Sequence, residues 1–191
     1  MKNKILYFLL IIISCNHFSN NNSKIISDTK TYDFAIPQHL KEYINTKLTE
    51  YVIPDTLEYY KDFCFFFNNT SKHFFKYQNP YFVSSDFNDD FKSDYALLLK
   101  RNDTLKIAII YSKNSKYEHW IDENYNIIVD KQNGIQHGLN IEPPRKIDCV
   151  FNNEEKSLIL KTNGISLYKL EEMLRVYYWE NNTFNVFIMK L

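Results

Sequence analysis

Tyr81-Phe82-Val83-Ser84-Ser85-Asp86-Phe87-Asn88-Asp89-Asp90-Phe91-Lys92-Ser93-Asp94-Tyr95-Ala96-Leu97-Leu98-Leu99 decides how this chain folds. An apolar run enters, an acidic turn-rich segment interrupts, and a second apolar run leaves. Short apolar runs bounded by polar turn residues are the signature of strands. Residues 81–83 and 95–99 are therefore expected to be neighbouring strands joined by the acidic loop 86–94.

Working outward from the second run, Asn102-Asp103 is a hairpin turn into Leu105-Lys106-Ile107-Ala108-Ile109-Ile110-Tyr111. So continuous an apolar run predicts a central strand buried on both faces. Further strands are expected at 116–122 and 125–129. Residues 133–145, which hold Gly134, Gly138 and Pro143-Pro144, are expected to form the longest loop. Beyond it, 147–151 and 157–161 are expected strands, and Asn163-Gly164 is a strong two-residue turn signal returning into 165–168. A final hairpin is expected from 174–179, Asn181-Asn182 and 184–189. On the N-terminal side the period changes. Pro37 suits a first helical position, and Leu40, Tyr43, Ile44, Leu48 and Tyr51 recur at helical spacing, predicting a helix over 37–50. Pro54-Asp55 ends it, with a second short helix expected through Leu57, Tyr60 and Phe63. Helices followed by a meander of strands point to an α+β fold, one helix or two packed on a mostly antiparallel sheet.

The chain has 191 residues, of which 45% are hydrophobic and 17% aromatic, with 15 Tyr and 15 Phe. That is enough apolar matter for one domain with one core, expected over 31–191. Lys and Arg number 23 and so do Asp and Glu, so no net field attracts nucleic acid. With three Gly there is no Gly-rich phosphate loop and no nucleotide motif.

Lys2 and Lys4 precede an uncharged apolar run, 5–13, that ends at Ser14-Cys15. A basic start followed by an apolar segment shorter than the ~20 residues of a membrane span is a signal-peptide pattern, expected over 1–14. Ile12-Ile13-Ser14-Cys15 resembles the lipobox of bacterial lipoproteins. That resemblance implies cleavage before Cys15, acylation of its thiol, and a cell-envelope protein attached to a bacterial membrane by lipid. Residues 15–30 then form the lipidated Cys and a flexible tether, since 16–23 are rich in Asn and Ser. Cys64 and Cys149 remain. In an envelope compartment they can form a disulfide, or each can sit in its aromatic and aliphatic surroundings as a small buried hydrophobe.

Loop 86–94 carries the densest chemistry. Calcium takes six to eight oxygen ligands, and alternate side chains of one short loop can supply most of them. Asp86, Asn88 and Asp90 stand at alternate positions, Lys92 offers its backbone carbonyl, and Asp94 closes the set. Four acids this close repel one another, and a divalent cation relieves them. From Asp86 to Ala96 the segment resembles the calcium loops of FG-GAP and VCBS-type repeats. That resemblance implies a structural Ca²⁺ between two strands. One loop cannot build the many-bladed propeller of those families, and Phe91 stands where they place Gly at a positive-φ turn.

Catalytic residues are not evident, because no Gly-x-Ser-x-Gly or His-Glu-x-x-His pattern occurs and the five His lie in unrelated contexts. His119, beside Trp120, suits a surface strand position. Tyr177-Tyr178-Trp179 could present an aromatic face, but Tyr178 must point opposite to its neighbours on a strand. The expected function is a non-enzymatic envelope lipoprotein whose calcium loop stiffens a binding or scaffolding domain. An immunity-type or other protein-interaction lipoprotein is the alternative, and a hydrolase using the acids and His119 the remote one.

Overall fold

Successive side chains of the strand that follows the acidic loop are buried in two different clusters by turns, and that alternation builds the layers. In the computed structural model, which describes residues 36–55, 58, 81–170 and 172–190, Tyr95, Leu97 and Leu99 face a helix. Ala96 and Leu98 face a second sheet. The strand order is β1 (Phe82–Ser85), β2 (Asp94–Arg101), β3 (Thr104–Lys113), β4 (Lys116–Ile121), β5 (Ile127–Ile128), β6 (His137–Glu142), β7 (Lys146–Phe151), β8 (Glu154–Ile159), β9 (Gly164–Lys169), β10 (Glu172–Glu180) and β11 (Thr183–Ile188). The first sheet runs β1-β2-β3-β4, with β5 also on β3; the second runs β11-β10-β9-β6; β7 and β8 pair with each other. Every ladder is antiparallel. These strands, with one short helix among the described residues, lie within a compact unit spanning Phe34–Leu191.

The main core lies between the sheets: Ala96, Leu98, Leu105, Ile107, Ile109 and Tyr111 on one side, Leu139, Ile165, Leu167, Tyr177 and Phe184 on the other. β3 is buried on both faces, as its continuous apolar run predicts. Helix α1 (Gln38–Lys47) covers the outer face of the first sheet with Leu40 and Ile44, one helical turn apart and each 1% exposed. Burying two such side chains contributes about 4 kcal/mol, which a ten-residue helix, marginal alone, requires. Pro37 precedes it, its carbonyl accepting from the Leu40 and Lys41 amides. The helix is shorter than the expected 37–50, because Leu48 leaves helical geometry at φ −126° and ψ 47° and buries its side chain from beyond the helix end. The second expected helix falls mostly on residues outside the described ones. On the far side, Ile147, Leu158 and Leu160 cover Val176 on the outer face of the second sheet.

Three expectations are corrected. Residues 133–145 are not one long loop, for β6 lies within them, held by its full-length ladder to β9. Asn163-Gly164 does not close a hairpin: β8 pairs with β7, while β9 pairs with β6 and β10. Gly164 is needed there for proximity, since a Cβ would stand 3.0 Å from the Tyr177 carbonyl. The strand expected over 125–129 shrinks to Ile127–Ile128. The other hairpins follow local chemistry. Asn102 turns at φ 54°, and the pairs Asn114-Ser115, Asn152-Asn153 and Asn181-Asn182 all hold the positive φ of tight strand turns.

His137 on β6 is largely buried, and burial first, Lys169 second, pushes its imidazole down to about 4 from 6.5. A folded pKa below the unfolded one means that the folded protein refuses a proton the unfolded chain accepts. This contribution to stability is therefore full above pH 6.5 and lost as pH falls toward 4. His137→Gln removes the slope. Between pH 7 and 4.5 the wild type should lose about 2 kcal/mol more than the variant in urea unfolding; equal losses would refute the assignment.

Candidate functional site

Loop 86–94 leaves β1 and returns into β2, and its backbone is organised around two carboxylates. Asp86 accepts the Asp90 amide on Oδ1 at 3.1 Å and the Phe91 amide on Oδ2 at 2.7 Å. Asp94, with no exposed surface, accepts Phe87 N–H at 2.9 Å and Asn88 N–H at 3.2 Å on Oδ2, and Ser112 N–H at 2.8 Å on Oδ1. The loop is thereby fastened to β3 as well as to its own strands. Phe87, also fully buried, plugs the core beneath it.

Phe91 takes the turn that its position demands, at φ 62°, with its ring 93% exposed. A bulky residue pays strain in that region, and the Asp86 hydrogen bond to its amide offsets it. Asp89 shares the positive φ, at 62°.

Asp90 accepts the Lys92 amide at 3.0 Å on Oδ1 and the Ser112 hydroxyl on Oδ2. Asn88 donates from Nδ2 to the Ser112 carbonyl at 2.7 Å. Its Oδ1 is buried and has no hydrogen-bond partner. A buried carbonyl oxygen without a partner costs about 1–3 kcal/mol, so this atom calls for a cation or a donor. Asp86, Asn88, Asp90 and Asp94 are thus brought into one loop, while Lys92 stands exposed at its rim.

Each carboxylate offers about four acceptor positions, so Asp86 and Asp90, with two donors apiece, and Asp94, with three, all retain capacity. Among the described residues no three His, Cys, Asp or Glu side chains form a ready-made metal cluster. A bound ion therefore depends on oxygens outside that set, Asn88 Oδ1 and the Lys92 carbonyl. Burial pushes the Asp94 carboxyl up to about 6, against the pull of its three amide donors and with the help of nearby Asp90. A cation would draw it back down.

Ser112 is the residue that sequence inspection misses. It donates N–H to Asp94 and O–H to Asp90 and accepts from Asn88. The signal was present: the Asn102-Asp103 turn sets a register with Tyr95 opposite Ile110, which places this small polar residue next to Asp94 at the end of an apolar run.

The other candidates separate. His119 lies on the helix side of β4, and its Nδ1 is 3.1 Å from the Tyr43 hydroxyl. Tyr177 is wholly buried between the sheets and Tyr178 packs on the opposite face, against the β7–β8 hairpin, so they form no common aromatic surface. Cys149 is a half-buried free thiol; Cys64 and Cys15 lie outside the described residues. No family model, no curated protein and no solved structure matches the chain.

Proposed function

We propose that the chain is a lipid-anchored protein of a bacterial cell envelope, without catalytic activity, in which loop 86–94 is a structural calcium staple of a binding or scaffolding domain. The observation that carries the calcium assignment is Asn88 Oδ1, buried without a partner in a loop of carboxylates with unused acceptor positions. Asp86, Asn88 and Asp90 would ligate through side chains, Lys92 through its carbonyl, and Asp94 through its remaining capacity. An ion there draws β1, β2 and β3 together, the strands the loop already joins.

A structural role suits the site better than a catalytic one. The most perturbed acid, Asp94, has no exposed surface to offer a substrate, and general acid–base work needs a group within reach of one. The anchor rests on the pattern of residues 1–15, with Cys15 as the acylated thiol.

Thermal melting with calcium and with chelator tests the staple. At calcium a hundredfold above its Kd the gain is about 2.7 kcal/mol, or about 5–10 °C in Tm for a domain of this size. Asp90→Ala should abolish the shift. A wild type that melts identically in calcium and chelator removes the ion from the account.

A further inference from the structure

Every carboxylate oxygen of Asp86, Asp90 and Asp94 already accepts a hydrogen bond. With one oxygen apiece, Asp86, Asn88, Asp90, the Lys92 carbonyl and Asp94 supply five ligands, and calcium takes six to eight. The positions left over go to water, to a second carboxylate oxygen that already holds a donor, or to a side chain from outside the loop.

β3 brings such a side chain to the place where the orphaned oxygen sits. Ser112 is 5% exposed, and its carbonyl accepts from Asn88 Nδ2 at 2.7 Å. The other end of that amide is the buried, unpartnered Oδ1. The Ser112 hydroxyl donates to Asp90 Oδ2, and its amide to Asp94 Oδ1. Among the described residues, no other residue from outside the loop hydrogen-bonds to the side chains of Asp86, Asn88, Asp90 or Asp94. The backbone ties to Asn88 and Asp94 belong to any residue at this position, so what serine adds is Oγ. A hydroxyl has one proton and two lone pairs; the proton is on Asp90, and no donor among the described residues reaches the lone pairs.

We infer that Ser112 Oγ is a further ligand of the ion, supplied by β3 beside the loop's own set and keeping its proton on Asp90. The inference rests on the calcium reading of loop 86–94 and deepens it. The site becomes the joint property of two segments distant in sequence, which is why the loop's own pattern does not reveal it. A buried hydroxyl in place of a water also sets the preference of the site: it favours calcium, which accepts many protein oxygens, over magnesium, which gives up its waters reluctantly.

Calcium titration and terbium(III) luminescence on the full chain in mild detergent test it. Terbium stands in for calcium at oxygen sites, and its emission lifetimes in H₂O and D₂O count the waters on the ion. Ser112→Ala should bind calcium about tenfold more weakly, and its terbium should carry about one more water than in the wild type, since water fills the vacated position. Ser112→Cys, close to serine in size, should lose calcium affinity likewise yet bind cadmium more tightly than Ser112→Ala does, because sulfur suits the softer ion. A residue that only steadied Asp90 would move neither the water count nor the cadmium preference. Equal hydration in the wild type and Ser112→Ala, or cadmium bound no tighter by Ser112→Cys than by Ser112→Ala, would overturn the assignment while leaving the calcium loop standing. A wild type that binds neither calcium nor terbium would take down the calcium reading, and Ser112 with it.

Discussion

Asp94→Ala should lower stability by about 4 kcal/mol at pH 7, the largest loss among the carboxylates of the acidic loop. The change leaves the amides of Phe87, Asn88 and Ser112 without their acceptor in a site with no exposed surface. Each orphaned donor costs about 1–3 kcal/mol, and loop relaxation and water entry recover part of the sum. A second effect opposes it. Burial pushes the carboxyl up to about 6 from 3.8, so its charged form is disfavoured in the folded protein, and removing it returns about 3 kcal/mol at neutral pH at the very most. The amides win, because that same upward shift is already net of their attraction, and Ala supplies no acceptor at all. Asp94→Asn keeps one acceptor oxygen and sheds the charge, so it should cost less, about 2 kcal/mol. Asp89→Asn, on the exposed side of the same loop, should stay within about 0.5 kcal/mol. Urea unfolding of the three variants orders them. If Asp94→Ala proves no worse than Asp89→Asn, Asp94 does not hold the loop.

What could be read from the sequence was local. The strands around the loop, the doubly buried β3 and the turns at Asn102-Asp103 and Asn181-Asn182 follow from short-range apolar patterning and from residues that tolerate positive φ. What could not be read was set by distant partners. Residues 137–142 become a strand because β9 offers them a ladder, while Gly134 and Pro143-Pro144 on either side carry the local marks of a loop. Asn163-Gly164 carries a hairpin signal, but its flanking strands belong to different sheets, and Asn163 instead donates to the Ser85 hydroxyl at 2.8 Å. In the acidic loop, alternation of oxygen-bearing side chains was visible, and so was the conflict at Phe91. Its resolution was not, since it depends on Asp86 holding the Phe91 amide. Nor does any local pattern reveal that Lys106, inside an apolar run and 2% exposed, finds the carbonyls of Asp122 and Glu123.

Those carbonyls belong to a second polar centre, and Asp122→Ala should cost about 3–5 kcal/mol. Asp122 is 3% exposed and accepts the Tyr177 hydroxyl at 3.1 Å and Arg175 Nη1 at 3.5 Å, both on Oδ2, and the Asn124 amide at 3.1 Å on Oδ1. The Arg175 guanidinium, 3.7 Å from the centre of the Tyr125 ring, is itself almost wholly buried. Burial, then the Asp122 charge, pushes the Tyr177 hydroxyl far up, so it remains a proton donor. Asp122 follows β4 of the first sheet, and Arg175 and Tyr177 stand on β10 of the second, so the cluster ties the two sheets across the core. Removing the carboxylate strands a buried cation, and that penalty, more than the loss of the pair's attraction, sets the size of the effect. The double variant Asp122→Ala with Arg175→Met should therefore recover more than half of the loss, because no unpaired charge remains and an apolar chain fills the space. Tyr177→Phe, which leaves the ion pair intact, should cost only about 1 kcal/mol. A double-mutant cycle by urea unfolding separates these contributions. Additive losses from Asp122→Ala and Arg175→Met would show that the two residues do not act as a pair, and the polar tie of Asp122 to the second sheet would then rest on the Tyr177 hydroxyl.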